Sequence, residues 1–162
     1  MSQIYQLEEI TAIIQQNPQQ WRPLVFTNGC FDLLHVGHTR YLKEAKSHGK
    51  TLIIGVNSDN SVKTIKPMKE KQPARPIVPQ QQRAELLSNL RMVDGVIIFS
   101  EATATKVIEI LKPDIYVKGG DYAIETLPEA PTVLSYGGKI ELVEIEIPTS
   151  TTKIIQQILA IN

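Results

Sequence analysis

The run Val25-Phe-Thr-Asn-Gly-Cys-Phe-Asp-Leu-Leu-His-Val-Gly-His38 constrains this chain more than any other. It reads as a buried strand, a glycine-containing turn and the start of a helix, with Asp32, His35 and His38 at the junction. A strand entering a helix this way aims free backbone N–H groups, and the positive end of the helix dipole, at whatever lies above the strand's carboxyl end. That is a phosphate site. Gly29 is expected to allow the sharp turn, and Gly37 to let a ligand lie close against the backbone. Two imidazoles three positions apart then flank one anion, and each can donate to a phosphoryl oxygen that gains charge in a transition state.

The rest of the chain alternates strand and helix signals. Leu7, Ile10, Ile13 and Ile14 share one helical face, which predicts an amphipathic packing helix within residues 1–20 that ends before Asn17-Pro18. Strands are predicted at Leu24 to Thr27, a short apolar run of the parallel-sheet type, and at Thr51 to Asn57, Val93 to Phe99 and Ile115 to Val117. The helix after His38 carries Tyr41, Leu42 and Ala45 inward and stops at His48-Gly49. From Lys63 through Arg75 the sequence is basic and proline-rich, which predicts neither helix nor central strand. Pro79 suits the first turn of a helix containing Arg83, Ala84, Leu86, Leu87 and Leu90, and Thr103 is expected to cap a helix through Val107, Ile108 and Leu111. A short helix is allowed between Thr126 and Gly138. Lys139 to Ile147 nearly alternates apolar and charged, as a half-exposed edge strand does, and a last helix from Ser150 buries Ile154, Ile155, Ile158 and Leu159. The expectation is one α/β domain over 1–162, a Rossmann-like parallel sheet with helices on both faces.

Composition removes several function classes. Lys plus Arg and Asp plus Glu both number 17, so no global field argues for nucleic acid or an anionic membrane. Cys30 is the only cysteine and has no intrachain disulfide partner, and the first residues lack the basic start and apolar run of a signal peptide. A cytoplasmic protein is expected. Gly49-Lys50-Thr51 fails as a P-loop because Glu44 stands where a glycine is required. Cys30, Asp32, His35 and His38 do not complete a zinc set of recognised spacing, so no protein-held metal is expected. Asp59 follows the second of these strands at its carboxyl end, where open α/β sheets place ligand groups, and is a substrate-binding candidate.

His35-Val-Gly-His38 resembles the H-x-G-H signature of the nucleotidyltransferase superfamily, and Asn28 to His35 narrows the resemblance to its cytidylyltransferase-like branch. Ser150-Thr-Thr-Lys-Ile154 is similar to that branch's second signature, a turn that closes on the triphosphate. Arg75-Pro-Ile-Val-Pro79 and Val117-Lys-Gly-Gly-Asp-Tyr122 resemble the sugar-phosphate adenylyltransferases of ADP-heptose synthesis, which occur as one half of a bifunctional heptose kinase/adenylyltransferase. The resemblance implies joining of ATP to D-glycero-β-D-manno-heptose 1-phosphate with release of pyrophosphate, a step toward lipopolysaccharide core. It also implies Mg²⁺ on the triphosphate, a separate heptose kinase and phosphatase upstream, and allows a homodimer.

Such a reaction needs little covalent help. A phosphate monoester is mostly dianionic at neutral pH, its second pKa lying near 6, and can attack the α-phosphorus without a general base. The protein must supply in-line positioning and charge neutralisation. With His35 and His38, Lys66 and Arg83 are the catalytic candidates, since both lie beyond the second of these strands and the resemblance implies a lysine and an arginine in such places; Lys63 is the alternative to Lys66. The resemblance further implies nucleotide contacts at Cys30, Phe31, Asp32 and Gly37, at Gly119 and Asp121, and at Ser150, Thr151 and Thr152. Asp32 can orient an imidazole, contact a ribose or satisfy turn amides. The segment Glu144 to Thr149 lacks the arginine that glycerol-3-phosphate cytidylyltransferases place before S-T-T, which argues against CTP. Such a cytidylyltransferase, or a nucleotide-binding module without turnover, are the alternatives.

Overall fold

In the computed structural model, which describes residues 3–68, 70, 72–120, 123–144 and 149–160, the sheet grows outward from two central strands. These are β2 (Leu24–Gly29) and β3 (Thr51–Asn57), paired in parallel from Leu24↔Thr51 to Gly29↔Val56. Every residue of β3 is buried, which explains its unbroken apolar run. Four strands flank the pair: β1 (Ile4–Tyr5), β4 (Gly95–Phe99), β5 (Ile115–Gly119) and β6 (Lys139–Val143). All pair in parallel, in the order β1-β4-β3-β2-β5-β6.

Strand side chains alternate between two apolar layers. Val25, Leu52, Ile54 and Val56 meet Leu42 and Ala45 of α3 (Val36–Ser47) and Ala84 and Leu87 of α5 (Gln80–Ser88). Leu24, Phe26, Ile53 and Ile97 point to the other side, against Ile10 and Ile14 of α1 (Leu7–Gln16) and Val107, Ile108 and Leu111 of α6 (Thr105–Leu111). Each buried Val, Leu, Ile or Phe side chain contributes about 1.5–3 kcal/mol, so both faces must be covered by helices. The expected helices on both faces are present. Among the described residues no helix is long and apolar enough to cross a membrane.

Several local expectations are corrected. Strand β1 escapes periodicity because it is two residues long; it pairs Ile4↔Val96 and Tyr5↔Ile97 at the sheet's edge. Helix α2 (Pro18–Trp21) fills the segment before β2, with proline at its first position. Lys63 lies inside α4 (Asp59–Ile65), because Ser58 caps that helix through an N–H of Ser61 and no proline intervenes before Pro67. Pro79 precedes α5 as its cap residue, Leu90 lies beyond the helix, and Leu86 is exposed.

Thr103 does not cap α6. Ala104 stands at the cap, its N–H donated to the buried carboxylate of Glu129, which leads into α7 (Ala130–Ser135). In α8 (Thr151–Leu159), Ile155 is buried but Ile158 and Leu159 are exposed. Strand β6 takes the predicted edge position, and residues 145–148 of the alternating segment lie outside the described residues.

Candidate active site

The crossover from β2 runs to β3 on one side and that from β5 to β6 on the other, and a cleft of ≈ 430 Å³ opens at the carboxyl ends of these strands. Open α/β sheets bind ligands at such a switch point. Cys30, Phe31, Asp32 and His38 line it from the β2–α3 connection, and Lys66, Gly119 and Thr151 from the ends of α4, β5 and the start of α8.

His38 is the imidazole at the cleft wall, with the His35 ring tilted against it at 33°, ring centroids 3.9 Å apart. The His35 N–H donates to His38 Nδ1 at 3.3 Å, so a neutral His38 carries its proton on Nε2. Burial, then the neighbouring His35 and Lys66, push the His38 pKa down from 6.5 to about 4. Burial also lowers that of His35. Both rings are therefore neutral donors at pH 7. His35 Nδ1 is buried without a hydrogen-bond partner among the described residues, in a structure that holds no ligand.

The two glycines act differently from expectation. A Cβ at Gly37 would lie 2.9 Å from Nδ1 of His35, so this glycine makes room for the His35 ring. The left-handed residue of the turn is Phe31, at φ 48°, rather than Gly29. Gly29 is needed because the Phe31 ring packs 3.1 Å from where its Cβ would stand. Phe31 in turn braces His38, ring centroids 5.4 Å apart. A buried non-glycine residue at positive φ stores strain, here beside the histidine at the cleft.

Asp32, 2% exposed, does not contact an imidazole. Its carboxylate accepts the Arg75 guanidinium and the N–H groups of Ile77 (2.8 Å) and Val78 (2.9 Å), which pins the returning basic loop to the β2–α3 turn. Of the alternatives for Asp32, satisfying main-chain amides is the one present, though the amides belong to a distant segment. Lys66 lies exposed on the cleft wall, whereas Lys63 points out from α4.

Arg83 is placed elsewhere than the sequence suggests. It is 0% exposed, and its guanidinium donates to the carbonyls of Cys30 and Val78 and, at 2.8 Å, to Asp59 Oδ1. All three of its nitrogens bond to the scaffold, so it holds the Cys30 turn, the Val78 loop and Asp59 together. Asp59, expected on the substrate, sits at the start of α4 as the partner of Arg83 and outside the cleft lining.

Within Ser150-Thr-Thr, the Ser150 hydroxyl caps α8 through the Lys153 N–H at 3.2 Å. Thr151 donates to the Leu33 carbonyl at 3.3 Å and so ties α8 to the histidine turn, while Thr152 is exposed. Asp121 lies outside the described residues.

Further polar residues line the cleft that the sequence does not single out as site residues, among them Asn28, Arg75, Lys118 and Glu129. Asn28 and Lys118 were findable, since each falls at the carboxyl end of a predicted strand. Arg75 and Glu129 come from loops that only tertiary folding brings there. Among the described residues no three His, Cys, Asp or Glu side chains converge as a metal set.

The sequence profile of the cytidylyltransferase-like family matches residues 26–157, a span that includes both histidines and Ser150 to Thr152. The chain belongs to the cytidylyltransferase-like family. Its similarity to bifunctional HldE proteins runs over 98% of the chain, at 46% identity to that of Geobacter metallireducens and 43% to that of Syntrophotalea carbinolica. The chain spans 31% of the length of these curated relatives. Among solved structures it resembles the lipopolysaccharide core biosynthesis protein of Thermoplasma volcanium, with a TM-score of 0.60 and 30% identity, over 77% of this chain and 97% of that one. A pantoate-beta-alanine ligase from Francisella tularensis, 15% identical with a TM-score of 0.54 over 99% of this chain and 78% of the other, shares the fold alone.

Proposed function

We propose that this chain is an adenylyltransferase that joins ATP to D-glycero-β-D-manno-heptose 1-phosphate, giving ADP-heptose and pyrophosphate. The observation that carries the reading is the neutral His35–His38 pair at the start of α3, beside Lys66 and the amino end of α8. An oxygen of the sugar phosphate attacks the α-phosphorus of ATP and forms a new P–O–P bond. The bond from the α-phosphorus to the bridging oxygen breaks, and its electrons leave with pyrophosphate.

His38 Nε2–H and the Lys66 ammonium are suited to the charge that grows on the α-phosphoryl and leaving oxygens. No proton need be removed from the attacking group, which agrees with a site whose histidines are donors rather than bases. The incoming triphosphate also favours protonation of both imidazoles, because its negative charge opposes the push of burial. Asp32 and Arg83 act at one remove, holding the basic loop and the Cys30 turn.

The side chains of the described residues do not form a cage for Mg²⁺, since both Asp32 oxygens are engaged and Glu129 accepts the Ala104 N–H. In this reading Mg²⁺ accompanies ATP on the triphosphate's own oxygens. The long likeness to HldE proteins supports the heptose as acceptor, and the missing arginine before Ser150 supports ATP over CTP. The enzyme then works in the cytoplasm on sugar 1-phosphate delivered by an upstream kinase and phosphatase.

Pyrophosphate release tests the reading, with ATP or CTP offered against heptose 1-phosphate or glycerol 3-phosphate. Release with ATP and the heptose is expected. Release with CTP and glycerol 3-phosphate alone would move the chain to the cytidylyltransferases, and binding of nucleotide with no release in any pairing would make it a non-catalytic module.

A further inference from the structure

The ladder between β2 and β5 ends at Phe26↔Tyr116, although β2 continues beside β3 to Gly29 and β5 beside β6 to Gly119. The two strands therefore part beneath the cleft, and Asn28 and Lys118 line the space where they separate. Lys118 is partly buried there with little to hold it. Its ammonium reaches Asn28 Oδ1 at 3.4 Å, on an oxygen that already accepts the Tyr116 hydroxyl at 2.7 Å. Among the described residues no carboxylate lies within ion-pair distance of it.

The other cations near the cleft are accounted for. Arg75 is bound to Asp32, Arg83 to two carbonyls and Asp59, and Lys66 is the cation that acts on His38. Burial lowers the pKa of Lys118, while Glu129 and Cys30 oppose the shift from a distance. A desolvated ammonium with unused donors is costly unless an anion completes its shell.

Transfer of an adenylyl group brings two anions together, the triphosphate and the acceptor's phosphate, and their repulsion must be met at both. His38 and Lys66 form one cationic position and Lys118 a second, at the floor between β2 and β5. We propose that Lys118 binds the phosphate of the acceptor substrate and holds its attacking oxygen beneath the α-phosphorus. The inference rests on the adenylyl-transfer reading above.

The test compares wild type with Lys118→Met and Lys118→Arg, with folding checked by circular dichroism. With ATP and heptose 1-phosphate, Lys118→Met should raise KM for the sugar phosphate about ten- to a hundredfold and leave KM for ATP within about twofold, while Lys118→Arg recovers part of the loss. A rise confined to KM for ATP, or no change in either, would overturn the assignment.

Should wild type be silent with that pair, the transfer reading itself fails and a second arm still decides the role of Lys118. Protein saturated with a non-hydrolysable ATP analogue is titrated with inorganic phosphate by calorimetry. Binding by wild type that Lys118→Met abolishes supports the site, and equal binding, or none by either protein, refutes it.

Discussion

The main-chain N–H of His35 donates to Nδ1 of His38 across 3.3 Å, and this one bond fixes which nitrogen of His38 faces the cleft as a donor. The helix start thus orients its own catalytic candidate. His35 caps α3, Gly37 gives its ring room, and His38 sits one turn on with Nε2–H available.

Replacing His38 with alanine should lower kcat by about 10²–10³-fold, the loss expected for one preorganised donor to a developing anion. The fold should survive, because His38 bonds only to a main-chain amide of its own turn. Steady-state turnover of a folded His38→Ala protein checks this, and unchanged kcat would remove His38 from the chemistry.

Acid should reveal the buried imidazole. In the folded protein His38 titrates at about 4, against 6.5 in the unfolded chain. Between those values the unfolded chain binds the extra proton, so stability is intact above about 6.5 and falls as pH drops toward about 4. His38→Asn removes that group while His35 still titrates, so urea denaturation should show a shallower loss across the same window. An identical slope would mean that His38 is not held neutral by burial.

Arg83→Met should destabilise the protein by about 3–5 kcal/mol, since it strips a buried guanidinium from two carbonyls and a carboxylate. Denaturant midpoints measure this. A stable variant with a raised KM for ATP would instead return Arg83 to the triphosphate.

Asp32→Ala should free the loop that Arg75, Ile77 and Val78 tie down. Faster proteolytic cutting between Lys66 and Val78, with a stability loss of about 3 kcal/mol, is the expected result. Unaltered cutting would show that the clasp does not restrain the loop.

Much of the sheet was legible because its strands are buried on both faces: the limits of β3 follow from its apolar run alone. Strand β1 was not, since two residues carry no period. The histidine turn was legible because all its parts are adjacent in sequence. Arg83 was misjudged for a general reason: sequence shows that a charge exists beyond a strand but not whether it turns toward solvent, ligand or scaffold. Here the carbonyls of Cys30 and Val78 claim it, and those contacts span different loops. Lys118 is legible as a residue at the carboxyl end of a strand, but the gap it faces is not, because the parting of β2 from β5 is a tertiary fact.

Phosphorus-31 NMR of the protein incubated with ATP, Mg²⁺ and heptose 1-phosphate tests the central claim most directly. The sugar phosphate resonance should be replaced by a coupled pair from a new diphosphate diester, with pyrophosphate rising in equal amount. Appearance of ADP with a doubly phosphorylated sugar, or ATP left intact beside an unchanged sugar phosphate, would contradict it.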